Sequence, residues 1–277
     1  MFLTGVLVCK GYDDYLKETI GRNVRELDRL IVVTSEQDTA TQELALAHGA
    51  TVMLSPHISG DAFPKGKALS DVLAGLTGWV LVFDADVVLP EGFHGMLSKE
   101  PLDTERLYYT KRIEPRGYHH LIETLKGLRK GYSTQRIMKE LMRVSEEDFH
   151  PWGYFQLCHT SALPDPAYPG ESEDGSKDDT AFADRFGSKL WSALQPAFEV
   201  LHLHHGRMQT NWKGRRSPRI EEIEAMPLSD VTAMSVGDYI CSEKCQYAGR
   251  VWRKGEKLRD DSKMVPRFFE KEYATLS

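Results

Sequence analysis

The sequence predicts an α/β protein with a mostly parallel central sheet flanked by helices and with a C-terminal extension. Short apolar segments of strand length alternate with stretches in which apolar residues recur every three or four positions. The short segments are continuously apolar, which is typical of strands buried on both faces of a parallel sheet. The composition of the 277 residues, 41% hydrophobic and 27% charged, excludes a collagen, a coiled coil or a wholly disordered chain.

In the first half of the chain, predicted strands and helices alternate strictly. Helices are predicted by apolar spacing within residues 16–27, 39–48 and 68–76. Strands are predicted at residues 2–8, 30–33, 51–54 and 79–83. Ligands of such sheets bind beyond the carboxyl ends of the strands, so the residues that follow each strand are the first candidates for a site.

The second half is less regular. Strands are predicted at residues 107–110, 154–158 and 198–204, and a helix begins at Asp178. Residues 119–143 predict a basic helical region that is interrupted near Gly131, and residues 161–177 predict a loop. The last ~60 residues show no clear period of either kind.

Charge and cysteine content indicate the partners and the compartment. The net charge is −6, yet residues 104–143 carry ten basic and four acidic side chains, interleaved with tyrosines and histidines. Such a segment suits a nucleic acid, and equally a stacked sugar or a solvated helix. Four scattered cysteines favour a reducing compartment, so we expect a cytoplasmic protein of a bacterium or a phage-infected cell. Since no apolar run approaches the ~18–20 residues of a membrane span, we expect no integral membrane association.

Two aspartates follow the most apolar predicted strand. Val80-Leu-Val-Phe-Asp84-Ala-Asp86 ends a buried segment in two carboxylates at positions i and i+2. Carboxylate oxygens are the ligands that Mg²⁺ and Mn²⁺ prefer, and such an ion can neutralise a diphosphate leaving group. A solvated loop after a strand is the alternative interpretation.

The order of motifs along the chain resembles that of the family 2 glycosyltransferases. Phe63-Pro-Lys-Gly-Lys67-Ala-Leu-Ser, followed by the strand that ends in Asp84-Ala-Asp86, is similar to the family's helix and its Asp-x-Asp motif. Leu30-Ile-Val-Val-Thr34-Ser-Glu36-Gln-Asp38 is similar to the second strand of the family, whose end holds the nucleobase and ribose. Here Thr34 and Ser35 stand where the family usually has acids, which leaves the nucleotide open.

The resemblance implies the A-type (GT-A) fold, a Mn²⁺ or Mg²⁺ cofactor and a nucleoside-diphosphate sugar as donor, most readily a UDP-sugar. It implies that Asp86 binds the metal and that Asp84 contacts the ribose or the metal. The remaining donor-pocket candidates are Thr34, Glu36, Asp38 and Lys67.

The candidate base follows from the same resemblance. Asp178-Asp-Thr-Ala-Phe-Ala-Asp-Arg185 resembles the Glu-Asp-x-x-x-x-x-Arg helix start of the family, which places the catalytic aspartate at Asp179 and its acidic neighbour at Asp178. A carboxylate that takes the proton of an attacking hydroxyl is what inverting sugar transfer requires, and inversion itself is implied only by the family. An acid that complements the helix dipole is the alternative. Trp152, Tyr154 and Gln156 resemble the strand that lines the acceptor side.

Histidines and cations follow the last predicted strand, in Val200-Leu-His202-Leu-His204-His205-Gly-Arg207. In several A-type enzymes a late histidine completes the metal site, and we expect His204 first and His202 second in this role. They alternate along the predicted strand and would therefore share a face. A core or acceptor-contacting histidine is the alternative. Arg207 is a candidate for binding the diphosphate, or part of a basic surface.

These observations predict a metal-dependent glycosyltransferase. The acceptor is a hydroxyl group of a glycan, of a small metabolite or protein side chain, or of a 5-hydroxymethylated pyrimidine in viral DNA. A nucleotidyltransferase of related fold and a non-catalytic nucleotide- or carbohydrate-binding module remain the alternatives. The expected enzyme domain spans residues 1–215, with a nucleotide-sugar half at 1–103 and an acceptor half at 104–215, and residues 216–277 form an extension packed on it.

Overall fold

The computed structural model describes residues 1–59, 63–115, 117–141, 151, 153–170, 177–205 and 217–227, together with five short strands after residue 236. A seven-stranded sheet in the order β3-β2-β1-β4-β8-β6-β9 forms its centre. Its strands are β1 (Leu3–Val8), β2 (Arg29–Thr34), β3 (Thr51–Leu54), β4 (Trp79–Phe83), β6 (Leu107–Tyr109), β8 (Phe155–His159) and β9 (Trp191–Ala193).

The sheet is mostly parallel, as predicted. β3, β2, β1 and β4 run parallel, and β6 runs parallel to β9, whereas β8 pairs antiparallel with both β4 and β6. A second sheet in the order β5-β10-β7 lies beyond the end of β4, with β5 (Val87–Val88), β7 (Arg112–Ile113) and β10 (Val200–His202). Five C-terminal strands form two small sheets: β11 (Gly237–Cys241), β12 (Cys245–Tyr247), β13 (Arg250–Trp252), β14 (Lys257–Asp260) and β15 (Phe269–Lys271).

Helices cover the two faces of the central sheet and pack against the second sheet. They are α1 (Asp13–Asn23), α2 (Thr39–Ala47), α3 (Lys65–Leu73), α4 (Phe93–Leu97), α5 (Gly117–Arg129), α6 (Thr134–Leu141), α7 (Asp178–Phe186) and α8 (Ile220–Ala225). The break predicted near Gly131 is the turn between α5 and α6, where Gly131 adopts a φ of 77° that favours glycine. Among the described residues, no helix is long and apolar enough to cross a membrane.

The central strands contribute side chains to two cores, because successive side chains point to opposite faces of the sheet. In β4, Leu81 and Phe83 join α1 and α2 in one core, while Val80 and Val82 join α3 and α7 in the other. Burial on both faces explains why the strand is continuously apolar, and the prediction of an α/β fold is confirmed.

A third core packs against the second sheet, where α5 and α8 meet β10 and α1. The chain beyond residue 215 therefore contributes apolar side chains to this core, among them Ile220 and Ile223. The division into a domain and an extension at residue 215 stays a prediction.

Candidate active site

The two aspartates that follow β4 belong to two different clusters of side chains. Both lie beyond the carboxyl ends of the parallel strands, where the sequence predicts a site. The Asp84 carboxylate faces Lys65, the first residue of α3, whereas Asp86 faces His202 and His205. A tight turn, in which the Val87 amide donates to the Asp84 carbonyl, follows the first aspartate.

Asp86, His202 and His205 form a candidate metal centre. One ligand atom from each lies within 4.8 Å of the others. The Nε2 atom of His202 is 3.5 Å from Asp86 Oδ1, and Nε2 of His205 is 3.2 Å from Asp86 Oδ2. Asp86 Oδ1 is buried and has no hydrogen-bond donor within the described part of the chain. A buried acceptor without a donor, beside two imidazoles, fits a divalent transition-metal ion.

Glu114 contacts the ring nitrogen of His202 that does not face Asp86. It follows β7, which pairs parallel with β10, so its Oε1 lies 3.0 Å from Nδ1 of His202. Burial alone would lower the pKa of His202, but Asp86 and Glu114 outweigh it and raise that pKa. Burial would raise the pKa of Glu114, and His202 instead holds it well below its usual range.

His204 does not join this group. Its ring packs edge-on against Tyr118, with ring centroids 5.1 Å apart, and its carbonyl accepts a hydrogen bond from the buried Tyr15 hydroxyl. Strand alternation would have placed His204 beside His202, but β10 ends at His202, so this alternation does not extend to His204. The structure places His205 beside Asp86 instead.

Lys65 joins Asp84 to Asp179, the candidate base. Its ammonium nitrogen is 2.8 Å from Asp84 Oδ1 and 3.3 Å from Asp179 Oδ1, and its side chain is only 6% exposed. Burial would lower the pKa of Lys65, but the two carboxylates outweigh burial and raise the pKa above its ordinary value. The charged Lys65 therefore pairs with Asp84 from the predicted nucleotide-sugar half and with Asp179 from the predicted acceptor half.

Asp179 is held on several sides. The Tyr168 hydroxyl contacts its Oδ1 at 2.8 Å, and the Gln156 side-chain amide donates to its backbone carbonyl at 3.0 Å. Gly153 lies so close that a Cβ at this position would overlap the Asp179 carboxylate. Asp178, by contrast, is buried and accepts a hydrogen bond of 2.8 Å from the Gly66 amide in the first turn of α3, where a negative charge complements the helix dipole.

The donor-pocket candidates occupy different environments. Asp38 caps α2 by accepting from the Thr41 amide and also accepts from the Gly11 amide, so its carboxylate ties the loop after β1 to this helix. Thr34 is fully buried with its hydroxyl 3.4 Å from Asp38 Oδ2, whereas Glu36 is exposed. Lys67 is exposed and packs against Gly170.

Of the acceptor-side candidates, two are described. The Tyr154 hydroxyl donates to the Thr110 carbonyl, and the Arg112 guanidinium lies over its ring. Gln156 is buried, with its amide engaged by main-chain carbonyls and by Tyr168. Trp152 and Arg207 lie outside the described residues.

The predicted basic segment is partly neutralised by neighbouring acids. Arg129 pairs with Glu18 and Glu224, and Lys126 pairs with Glu123. These ion pairs neutralise positive charge that would otherwise be available to bind a nucleic acid.

Sequence reasoning missed Lys65, His205, Glu114 and Tyr168. Lys65 and Lys67 differ by two positions, which are about 200° apart around a helix, so only one can face the site. The burial pattern of α3 could have selected Lys65, since its neighbours Ala68, Leu69 and Val72 mark the inner face. No local pattern marks Glu114 or Tyr168.

The arrangement of the central sheet and its helices is that of the A-type glycosyltransferase fold. S. aureus TarS (residues 1–349) superposes with a TM-score of 0.51 at 13% identity, over 73% of this chain and 60% of that one. Glucosyl-3-phosphoglycerate synthase from Mycobacterium tuberculosis, crystallised with Mn²⁺, UDP and glucosyl-3-phosphoglycerate, gives a TM-score of 0.45 at 18% identity, over 91% and 87% of the two chains. No protein-family model and no curated protein sequence matches the chain.

Proposed function

We propose that this protein is a metal-dependent glycosyltransferase that moves a sugar from a nucleoside-diphosphate sugar to a hydroxyl acceptor. The observation that carries the proposal is the pairing of two clusters after β4: Asp86 with two histidines, and Asp84 with Lys65 and Asp179. The first can bind a metal–diphosphate, and the second offers a carboxylate within reach of the same strand end. Either cluster without the other would support the binding of a ligand but not a transfer reaction.

Asp86, His202 and His205 would hold the metal ion, with Glu114 fixing the orientation of His202. When bound, the ion supplies positive charge that stabilises the departing diphosphate. Two imidazoles and one carboxylate favour Mn²⁺ over Mg²⁺, because Mg²⁺ prefers an all-oxygen shell. Asp84 belongs to the neighbouring cluster and not to the metal centre, so we assign it to the ribose of the donor.

Asp179 is the proposed base. Its Oδ1 is engaged by Lys65 and Tyr168, which leaves Oδ2 to accept the proton of the acceptor hydroxyl as its oxygen attacks the anomeric carbon. Lys65 holds the carboxylate in this orientation through its contact with Oδ1. Inversion at the anomeric carbon is part of the proposal through the family resemblance.

A glycan or a small hydroxyl compound is the acceptor we favour over DNA. The ion pairs of Lys126 and Arg129 leave the predicted basic segment with less free positive charge than its composition indicates. Transfer to 5-hydroxymethylated DNA remains the second candidate, and it requires activity that falls steeply with salt, because phosphate contacts release counterions.

Calorimetric titration of the metal-free protein tests the donor site. Nucleoside diphosphates are titrated with and without Mn²⁺, beginning with UDP, which the M. tuberculosis synthase structure contains. We expect one nucleotide to bind only with metal, and expect Asp86→Asn to abolish that dependence while Asp184→Asn, an exposed acid at the far end of α7, preserves it. Absence of metal-dependent binding in the wild type would refute the proposal.

Product analysis separates the alternatives. A glycosyltransferase releases UDP from a UDP-sugar, whereas a nucleotidyltransferase releases pyrophosphate from a nucleoside triphosphate and a sugar phosphate. A binding module retains its affinity in Asp179→Asn and turns over neither substrate. Candidate acceptors, hydroxymethylated DNA among them, are then screened at low and at moderate salt.

A further inference from the structure

The Tyr168 hydroxyl has one proton and two acceptors. Its oxygen lies 2.8 Å from Asp179 Oδ1 and 2.7 Å from Gln156 Oε1, and the residue is fully buried. An ionised carboxylate and an amide oxygen can only accept hydrogen bonds. The hydroxyl can therefore donate its hydrogen bond to only one of these two oxygens at a time.

The orientation of Gln156 follows from its other contacts. Its Nε2 lies 2.7 Å from the Pro151 carbonyl and 3.0 Å from the Asp179 carbonyl, and both of these can only accept. Turning the amide over would place oxygen against oxygen at both positions. Oε1 must therefore face Tyr168, and it cannot supply a second proton.

The Tyr168 ring is fixed while its hydroxyl hydrogen can rotate. The ring stacks on Phe182 with centroids 4.3 Å apart and planes 12° from parallel. Moving the hydrogen between the two acceptors needs only rotation about the C–O bond and no displacement of the ring. Burial and the neighbouring Asp179 raise the pKa of Tyr168 well above its ordinary value, so the phenol keeps its proton.

We infer that Tyr168 is a positioning residue whose hydroxyl turns between Asp179 and Gln156 as the base gains and loses a proton. The inference rests on the proposed function, in which Asp179 is that base. With Asp179 ionised, Tyr168 donates to Oδ1 and Oδ2 faces the acceptor. When Oδ2 has taken the acceptor's proton, the carboxyl is neutral and the phenol donates to Gln156 Oε1 instead. The proton count is unchanged at Tyr168, and no buried donor is left unpaired in either state.

Four charged or titratable groups surround the Asp179 carboxylate. Lys65 from α3 and the Tyr168 hydroxyl contact it directly, while Asp84 lies beyond Lys65 and Asp178 precedes it on α7. The Tyr168 hydroxyl has an alternative acceptor in Gln156 Oε1 and can leave Asp179 without breaking an ion pair, whereas release of Lys65 would break one.

The test is a direct titration of Asp179 in the full-length, metal-free protein. Aspartate is labelled with ¹³C at the carboxyl carbon, and the resonance lost in Asp179→Asn identifies the group. We expect Tyr168→Phe to raise the pKa of Asp179 by about one unit, because the charged form loses a hydrogen-bond donor. Tyr108→Phe, which removes a buried hydroxyl bonded to the Asp103 amide, is the matched control and should leave this pKa unchanged.

A shift below about 0.3 unit in Tyr168→Phe, or a shift downward, overturns the inference. Should Tyr168→Phe fail to fold, 3-fluorotyrosine at position 168 keeps the shape and makes a stronger donor, and it should lower the pKa of Asp179. An unchanged value there overturns the inference equally. Since neither metal nor nucleotide is present, a positive shift with no sugar transfer refutes the proposed function alone, whereas transfer without a shift refutes the role of Tyr168 alone.

Discussion

Replacing Lys65 tests whether the link between Asp84 and Asp179 stabilises the fold. Lys65→Met keeps an unbranched side chain of similar length and removes the charge. The two carboxylates then lie close together without a cation between them, and their hydrogen bonds and ion pair of 2.8 and 3.3 Å are lost. Burial of the lysine, at 6% exposure, means that water cannot take its place without rearrangement.

The magnitude follows from the burial of each partner. Removing one member of a fully buried ion pair costs about 3–5 kcal/mol. The Asp84 and Asp179 side chains keep 37% and 24% of their exposure, so solvent screens part of the loss and about 2 kcal/mol is expected. Since the pKa of Lys65 is raised by folding, its stabilising contribution is complete below about pH 10.4 and declines only above that. The loss should thus be constant from about pH 6 to 9.

Urea unfolding of the wild type, Lys65→Met and Lys67→Met measures this effect. Lys67 lies two residues further along the same helix and is exposed, so its replacement should change the free energy of unfolding by less than about 0.5 kcal/mol. Equal stabilities of the two variants would refute the reasoning, because an exposed lysine and a buried, doubly paired one would then be equivalent.

Three further expectations concern the site and the core. Gly153→Ala should abolish sugar transfer with little change in Mn²⁺·UDP affinity, since the new methyl group overlaps the Asp179 carboxylate. His205→Ala should weaken Mn²⁺ binding at least about tenfold in calorimetry, whereas His204→Ala should not. Burial raises the pKa of Cys9 to about 12, so the free energy of unfolding should decline above about pH 8.5, where the unfolded thiol ionises, and less steeply in Cys9→Ala.

Each of these has a control or a contradicting result. Gly95→Ala, where a Cβ meets nothing within 4 Å inside α4, should leave transfer intact and stabilise the helix. Equal Mn²⁺ affinities of the two histidine variants would contradict the assignment of His205. Identical pH dependence of unfolding in Cys9→Ala and the wild type would show that Cys9 contributes nothing to the alkaline slope.

The sequence predicted the first four strands of the central sheet most accurately, including β3, whose last two residues are exposed. β3 and β4 have the predicted bounds, β1 begins one residue later than predicted, and β2 is one residue longer at each end. The prediction failed at residues 198–204, where only Val200–His202 is a strand and a 3₁₀ turn precedes it. The short strands β5 and β7 carry too few residues for a period, and their pairing with β10 is visible only in the folded chain.

The sequence by itself determined the fold class and indicated the end of the sheet at which the candidate site lies. Continuous apolar strands must be covered on both faces, and the polar residues that follow them must then gather at the carboxyl edge. This is local information, because chain connectivity alone places Asp84 and Asp86 after β4.

Only the tertiary structure decided which side chains meet there. Asp178 reaches Gly66 across 112 positions, and Lys65 reaches Asp179 across a similar distance in sequence. His205 rather than His204 faces Asp86, and β10 ends at His202, two residues before the end of the predicted strand. Such choices depend on how helices pack on the sheet and on where a strand ends, and neither has a period that the sequence can display.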